Sequence, residues 1–496
     1  MTRAAGLLLH PTSLPGRFGI GDLGPEAERF LDWAREGGQS WWQVLPLGPP
    51  EAHHSPYNCL SAFAGNPLLI SPELLYRQSL LAAEDLAGAP DFPPGRVDFE
   101  RVVPFKERLL RRSWELFERR ASRELRDELQ AFVEDPAQRS WLDDWALFSA
   151  LRARRGDRGW WDWEPALMRR EAEALAAARR REAAEIDFRR YLQFQFVRQW
   201  RRLRRQAHRR GIRILGDLPI YVAANSAEVW AHRELFDLDA SGRPRAVAGV
   251  PPDAFSRTGQ LWGNPLYRWE RMAAEGFGWW IERLAHNLRL ADRVRIDHFR
   301  GFAAYWRVPA SASTAQRGEW VEGPGRALFA ALTEALGELP LVAEDLGVIT
   351  PDVVALRRDA ALPGMKVLQF AFEDPDSDHL PHHFEAASVV YTGTHDNDTT
   401  AGWYSRLDPD AKSRVRTYTG ASRGFPWALI RLAYTSVAET AVVPVQDVLG
   451  LGSEARMNTP AVAGGNWTWR LAGGELTAEL AGRLRRLAEV SGRLFT

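Results

Sequence analysis

The sequence predicts an α/β fold that closes into a (β/α)8 barrel, or TIM barrel, on three observations. Eight short apolar segments, each ending in polar residues, glycine or proline, recur along the 496 residues. Stretches with helical periodicity separate them, which is typical of a parallel sheet. No glycine-rich GxGxxG turn follows the first segment, and eight strands favour a closed barrel over an open doubly wound sheet.

The predicted strands, in chain order, are 6–9, 42–46, 213–218, 293–299, 339–346, 365–372, 388–392 and 441–448. The expected organisation is strands one and two in 1–70, a helical insertion in 71–212, strand three in 213–219, a loop-rich insertion in 220–290, and strands four to eight with closing helices in 291–496. The chain ends soon after the last expected helix, so we expect no separate C-terminal β domain.

Two long intervals between strands predict the insertions. Residues 71–212 are dense in Arg, Glu, Ala and Leu with helical periodicity, so we expect a mainly helical subdomain that returns to the barrel. Residues 220–290 contain Pro and Gly clusters, which predict structured loops. Because this second insertion follows a barrel strand, it rises from the face where active sites of this fold lie. We therefore expect it to flank the active site.

Composition narrows the class of partner. The chain has 64 basic and 64 acidic residues, so no global field attracts nucleic acid or anionic membranes. Cys59 is the single cysteine, and no segment reads as a signal peptide or membrane span, which together favour the cytoplasm. We expect a monomer or small homo-oligomer. Most of the 21 Trp fill cores, but indole faces also stack on sugar rings.

Acidic residues recur where predicted strands end. Asp217, Asp297, Glu344 and Asp396 each lie at or just beyond the carboxyl end of a strand. In a (β/α)8 barrel the active site is built at these ends. A single acid at such a position can also cap the following helix. Four of them favour a catalytic site over capping.

Asp297 lies in ArgValArgIleAspHisPheArgGly, where alternation places Arg295 and Asp297 on the inward face of the strand. A neighbouring guanidinium favours the ionised form of a carboxyl group and orients it. An ionised carboxylate is what a nucleophile requires. The alternative for this pair is a purely structural ion pair that braces the barrel.

Glu344 follows an apolar strand in LeuProLeuValAlaGluAspLeuGly and shares the inward face of Val342, whereas Asp345 points outward. A glutamate that emerges from an apolar wall near other carboxylates has a raised pKa, which keeps a general acid protonated. We therefore expect Glu344 to deliver a proton to a leaving oxygen. The alternative is a helix cap or a surface residue.

Asp396 belongs to TyrThrGlyThrHisAspAsnAspThrThr, where a buried strand runs into a dense polar cluster. His395 and Asp396 can bind adjacent sugar hydroxyls, which need paired donors and acceptors. A metal site at His395, Asp396 and Asp398 is the competing idea, but no HxxxH or cysteine pattern accompanies them. We expect neither a metal nor a cofactor.

One ionised and one protonated carboxyl group together are what glycoside cleavage through a covalent intermediate needs. Glu344 protonates the glycosidic oxygen, Asp297 attacks the anomeric carbon, and Asp396 stabilises the oxocarbenium-like ring. If water then attacks the covalent intermediate, the result is hydrolysis. If a sugar hydroxyl group attacks it, the result is transfer.

Three motifs identify a family that the chain resembles. ArgIleAspHisPheArgGly, ValAlaGluAspLeuGly and TyrThrGlyThrHisAspAsnAspThr resemble motifs of the 4-α-glucanotransferases, the amylomaltase or disproportionating-enzyme family, which is related to the α-amylases. Matches at 9–16, 61–67, 216–222 and 450–460 extend the resemblance over nearly the whole chain.

The resemblance implies transfer of a segment of a 1,4-α-D-glucan to the 4-hydroxyl of glucose or another 1,4-α-glucan. Its partners would be maltooligosaccharides, amylose or other α-1,4-glucans. By motif, Asp297 is the nucleophile, Glu344 the acid/base and Asp396 the transition-state stabiliser. The implied substrate-binding residues are Tyr57, Asp217, Trp262, Asn264, Arg295, His298 and His395.

Four positions depart from the family pattern: Asn58, Asn225, Ala254 and Ala461. They concern acceptor binding, preferred chain length and loop closure, whereas every catalytic carboxylate is present.

The nearest alternative function is an α-1,4-glucan hydrolase of the α-amylase type, because it would share the three carboxylates. The insertion motif GlyGlnLeuTrpGlyAsnProLeuTyr at 259–267 favours the transferase. A non-catalytic glycan-binding protein and a metal-dependent sugar isomerase are the alternatives from other classes. The presence of both Asp297 and Glu344 with their neighbours argues against them.

Overall fold

The structure is a computed structural model that describes residues 3–252, 256–462 and 464–494. These residues form twelve strands: β1 Ala4–Leu8, β2 Trp41–Gln43, β3 Arg213–Leu218, β4 Ala246–Val250, β5 Gln260–Pro265, β6 Arg293–Ile296, β7 Ala304–Pro309, β8 Glu319–Glu322, β9 Leu341–Ala343, β10 Gly364–Val367, β11 Ser388–Tyr391 and β12 Thr440–Pro444.

The helices up to the third barrel strand are α1 Pro25–Glu36, α2 Pro72–Arg77, α3 Ala83–Ala87, α4 Phe99–Arg120, α5 Arg123–Glu134, α6 Pro136–Arg139, α7 Leu142–Arg154, α8 Pro165–Met168, α9 Ala172–Arg181 and α10 Ala183–Arg209. The later helices are α11 Ala227–Ala231, α12 Trp269–Ala274, α13 Gly278–Leu290, α14 Gly325–Leu336, α15 Pro351–Asp359, α16 Thr400–Arg406, α17 Pro409–Thr419, α18 Phe425–Thr435, α19 Val445–Leu449 and α20 Ala478–Val490.

Eight strands form a closed parallel barrel in the order β1-β12-β11-β10-β9-β6-β3-β2. The last strand closes on the first, with Ala4 opposite Thr440 and Leu8 opposite Pro444. The predicted (β/α)8 barrel is confirmed. Since all eight strands run in the same direction, their carboxyl ends meet on one face.

Several strands are shorter than their apolar segments predicted. The segment 293–299 leaves the sheet after Ile296, and Phe299–Phe302 forms a 3-10 turn. In the segment 441–448 the strand ends at Pro444, and the remaining residues belong to α19. Val445 and Val448 are nonetheless fully buried, so burial of apolar residues marks the core and not the strand itself.

Two hydrophobic layers hold the barrel. A small cluster fills its interior, with Leu8, Leu215, Val342, Val389 and Val442 pointing inward from five strands. The large cluster lies outside the strands and packs them against the surrounding helices. Because the interior is filled with side chains, substrate has access only to the rim.

A second sheet was not predicted. Strands β5-β4-β7-β8 form an antiparallel sheet in that order. The first two follow β3, in the insertion expected to be loop-rich, and the other two follow β6. The sheet therefore rises from the carboxyl-end face of the barrel, beside the predicted site. Within the described ranges, no helix is long and apolar enough to cross a membrane.

Candidate active site

Three of the four predicted carboxylates come from adjacent strands. Asp217 lies in β3, Asp297 directly follows β6, and Glu344 directly follows β9. These strands are neighbours in the order β9-β6-β3, and Asp217 is the register partner of Arg295. Sequence positions more than 120 residues apart thereby meet at one rim. Asp396 enters from the loop after β11, two strands further round the barrel.

Arg295 is the electrostatic centre of the site. Its Nη1 donates to both carboxylate oxygens of Asp217 at 2.9 Å, and its Nη2 lies 2.8 Å from Asp297 Oδ1. Its Nε contacts the Met365 sulfur at 3.3 Å, which places the guanidinium inside the barrel. The side chain is 5% exposed. One buried cation is therefore shared by two carboxylates and holds both in place.

Asp217 and Asp297 differ in environment although they share Arg295. The Asp217 side chain is fully buried, whereas the Asp297 side chain is 29% exposed. Burial raises the pKa of Asp217 to about 6, Arg295 opposes this, and Asp297 adds to it. The exposed carboxylate of Asp297 is thus the one that can reach a substrate atom.

Glu344 is held against the chain segment that follows Asp297. The backbone N–H of His298 donates to Glu344 Oε2 at 2.6 Å. Burial raises the pKa of Glu344 well above its usual value; Arg295 opposes this shift, and Asp297 reinforces it. A carboxyl group in this environment retains its proton where an exposed glutamate has lost it, as a general acid requires.

Asp396 is held by hydrogen bonds from two directions. His395 Nε2 lies 3.3 Å from its Oδ2, and Asn458 Nδ2 donates to its Oδ1 at 2.6 Å. Burial by itself raises the pKa of Asp396, but His395 and the Asn458 hydrogen bond lower it to about 2. Arg456 Nη2 also donates to the Asp396 carbonyl oxygen at 2.6 Å. Asp396 is therefore ionised at neutral pH.

Tyr57 links the two sides of the site. Its hydroxyl donates to Asp217 Oδ2 at 2.8 Å and lies 3.3 Å from His395 Nδ1. The rings of Tyr57 and His395 stack with centroids 4.6 Å apart, and Trp467 lies 5.9 Å from each. This aromatic cluster fixes the His395 ring beside Asp396.

The insertion contributes Trp262 through a contact with His298. The two rings meet edge to face at 4.8 Å. His298 adopts a left-handed backbone conformation with φ of 52°, which is unusual for a residue with a side chain and is often found at functional sites. Burial lowers the pKa of His298 to about 4, and its Nε2 has no hydrogen-bond partner in the protein. The imidazole is therefore neutral at neutral pH, and its Nε2 is buried without a partner.

Nine of the ten predicted site residues are connected by these contacts. The tenth, Asn264, lies two residues after Trp262 on β5, and its Nδ2 donates to the Val222 carbonyl oxygen at 2.9 Å. Its amide therefore braces the insertion.

Sequence reasoning missed two residues, Asn458 and Arg456. Both lie in the matched segment 450–460, but neither follows a predicted strand. The available signal was that the two polar residues flank the buried Met457.

Two departures from the family pattern converge on one carboxylate. Asn58 Nδ2 donates to Glu51 Oε2 at 3.3 Å, and Asn225 Nδ2 donates to Glu51 Oε1 at 2.7 Å. They hold together the loops that follow β2 and β3. Ala461 has φ of 63°, a conformation that favours glycine. Ala254 lies outside the described residues.

The competing metal site has no support in the described part of the chain. No group of three or more His, Cys, Asp or Glu side chains there is placed to hold an ion. Asp398, the third member of the proposed set, accepts a hydrogen bond from Ser453 Oγ at 2.6 Å and pairs with Arg406.

Comparisons with known proteins show which family the chain is similar to. A family model described as 4-alpha-glucanotransferase matches residues 9–477. The 4-alpha-glucanotransferase of Thermus thermophilus is 52% identical, with all of both chains covered. The 4-alpha-glucanotransferase of Synechocystis is 48% identical, over 99% of this chain and 98% of the relative.

A solved structure extends the agreement to three dimensions. The amylomaltase from Streptococcus agalactiae, solved in complex with acarbose, superposes with a TM-score of 0.96 at 36% identity, over 99% of this chain and all of that one. The chain therefore belongs to the 4-alpha-glucanotransferase, or amylomaltase, family of glycosyl-transferring enzymes.

Proposed function

We propose that the protein transfers a segment of a 1,4-α-glucan to the 4-hydroxyl of glucose or another 1,4-α-glucan by retaining double displacement. Asp297 is the nucleophile, Glu344 the acid/base, and Asp396 the stabiliser of the transition state. The observation that carries the proposal is the contrast between an accessible Asp297 paired with Arg295 and a Glu344 whose burial raises its pKa.

In the first step the Asp297 carboxylate attacks the anomeric carbon while the bond to the glycosidic oxygen breaks. Glu344 gives its proton to that oxygen, and the shortened glucan leaves. Positive charge develops on the ring, and the ionised Asp396 stabilises it.

In the second step Glu344 takes the proton of the acceptor 4-hydroxyl, whose oxygen attacks the same carbon and releases Asp297. Two inversions give net retention.

The remaining site residues bind the donor in this proposal. The catalytic carboxylates and the sugar near them are held by Tyr57, Arg295 and Asp217. His395 binds a hydroxyl group beside Asp396. The unpartnered Nε2 of His298 supports a hydrogen bond to another hydroxyl group. Trp262 and Asn264 bind from the insertion. No step requires a metal or a cofactor.

Maltooligosaccharides, amylose and other α-1,4-glucans are the proposed partners, and the proposed location is the cytoplasm. The single Cys59 supports a reducing compartment. We propose a monomer or small homo-oligomer, to be measured by light scattering.

The test is incubation with maltotriose alone, without added metal or cofactor, and resolution of the products by chain length over time. Glucose together with a ladder of longer maltooligosaccharides supports transfer. Shorter sugars alone, with reducing ends rising in step, would establish an α-glucan hydrolase instead. Asp297→Asn should abolish the ladder, whereas Glu338→Gln, at an exposed position, should leave it unchanged.

A further inference from the structure

Trp320 is the one exposed tryptophan among the residues that the structure describes. Its residue surface is 44% exposed, while the other tryptophans are buried or half-buried. It lies in β8, the edge strand of the four-stranded sheet, opposite Trp306 of β7. Single exposed apolar residues are common on protein surfaces, so the contacts of this indole and its place in the fold carry the argument.

One face of the indole is already covered. The guanidinium carbon of Arg300 lies 3.9 Å from the Trp320 ring centroid. Arg300 is 8% exposed, because the indole covers it. Trp306 meets the Trp320 ring edge to face at 5.3 Å. These contacts hold the ring rigidly, so that its solvent side forms a flat apolar platform.

The platform is joined to the catalytic rim. Arg300 lies two residues after His298, whose backbone N–H bonds Glu344. Arg300 Nη1 also donates to the Val348 carbonyl oxygen at 2.6 Å. Val348 follows Glu344 by four residues, which span at most about 14 Å. Through Arg300, Trp320 is therefore connected to the loop that follows Glu344.

The role of Glu344 indicates which of the two glucan chains, donor or acceptor, passes the loop that contains Val348. The acid/base stands next to the oxygen that leaves with one glucan segment and arrives with the other. Groups beyond it, on the side of the loop that contains Val348, therefore border the acceptor chain.

We propose that Trp320, held by Arg300, is a remote acceptor subsite that stacks on a glucosyl ring of the incoming glucan; this rests on the proposed function. The apolar C–H face of a glucopyranose ring is complementary to an indole face and carries no charge. Binding of a second copy of the chain to the free edge of β8 is disfavoured. Antiparallel pairing of β8 with itself would place Glu319 opposite Glu322.

The experiment compares acceptors of different length with wild type, Trp320→Ala and Trp320→Phe. Transfer from a fixed donor is measured to glucose and to maltohexaose, as kcat/KM for the acceptor. Trp320→Ala should lose about three- to tenfold with maltohexaose and less than twofold with glucose. Trp320→Phe keeps an aromatic face and should recover most of the loss.

Trp427→Ala is the matched control. Trp427 also carries a guanidinium on its ring, that of Arg483 at 3.7 Å, but it lies on α18. It should behave as wild type with both acceptors.

An equal loss with both acceptors, or no loss with either, would overturn the inference. A change in the oligomeric state of the Trp320→Ala variant, measured as its molecular mass in solution, would also overturn the inference. The exposed face of Trp320 would then join two copies of the chain. If Trp320→Ala fails to fold, the test passes to Trp320→Phe, which should keep the same selectivity for long acceptors at smaller amplitude. Wild type that makes no ladder from maltotriose would refute the proposed function itself, which is a separate outcome.

Discussion

The backbone N–H of His298 donates a 2.6 Å hydrogen bond to the carboxylate of Glu344. His298 directly follows Asp297, so the proposed nucleophile and the proposed acid are positioned relative to each other by one peptide unit. His298 itself has a left-handed φ of 52°. The relative position of the pair therefore depends on this peptide unit and on the Glu344 side chain that accepts from it.

Glu344 should set the alkaline limit of the reaction. Burial raises its pKa, so it remains protonated above the usual glutamate range and loses its proton as pH rises through the higher value. We expect kcat/KM to fall on the alkaline side with one ionisation, measured as a pH–rate profile.

Glu344→Gln should remove this limb and slow transfer from maltotriose by at least about a hundredfold. An α-glucosyl fluoride donor needs no protonated leaving group, so its first step should survive. An unchanged alkaline limb in the residual activity of Glu344→Gln would contradict the assignment.

Arg295→Met should destabilise the protein as well as inactivate it. The substitution leaves Asp217 and Asp297 without their shared cation, and loss of one partner of a buried ion pair costs about 3–5 kcal/mol. Urea unfolding should show the loss. Arg293→Met is the control, because the Arg293–Glu439 pair at 2.6 Å is partly exposed and far from the rim. Equal destabilisation by both would contradict the central role of Arg295.

Asn458→Ala should lower kcat by about tenfold or more, because the hydrogen bond to Asp396 Oδ1 is lost. The pKa of Asp396, about 2, should rise with the same change. Asn458→Asp should be worse, since it places a like charge against Asp396. Steady-state kinetics should rank wild type, Ala and Asp in that order. Asn466→Ala is the control, because the hydrogen bonds of Asn466 within the described residues go to the backbone of Thr459 and Val462 and not to Asp396.

Asp447→Asn should loosen the loop that contains Asp396. The buried carboxylate accepts from Thr392 Oγ1 at 2.5 Å, Thr400 N at 2.6 Å and Thr400 Oγ1 at 2.7 Å, which ties the two ends of the loop. An amide would turn a donor toward these donors. We expect kcat to fall about tenfold with little change in KM, measured at saturating maltotriose.

Asp408→Asn is the control for this change. Asp408 caps α17 by accepting from Ala411 N at 2.7 Å and has no contact with the site loop. The variant should lose at most about 1 kcal/mol of stability and keep full activity. Comparable kinetics for the two variants would show that Asp447 does not position the loop.

Local patterns predicted most of the barrel. The segments 213–218 and 388–392 match their strands almost residue for residue, because buried parallel strands are continuous apolar runs. The prediction failed at strand ends such as 297–299 and 445–448, where buried residues such as Phe299 and Val445 belong to a turn and a helix instead of a strand. The four-stranded sheet escaped prediction because its central pair joins β4, which ends at Val250, to β7, which begins at Ala304.

The sequence by itself determined which residues could take part in chemistry and that they follow barrel strands. Both follow from local properties, namely the periodicity of each segment and the order of the segments along the chain. Tertiary structure decided their partners. Arg295 binds Asp217 as well as Asp297, Asn458 reaches Asp396 from 62 residues away, and Trp320 lies on the edge of the second sheet. These pairings depend on barrel closure and loop packing. Such long-range contacts leave no periodic trace in the chain, because each is the product of the whole fold.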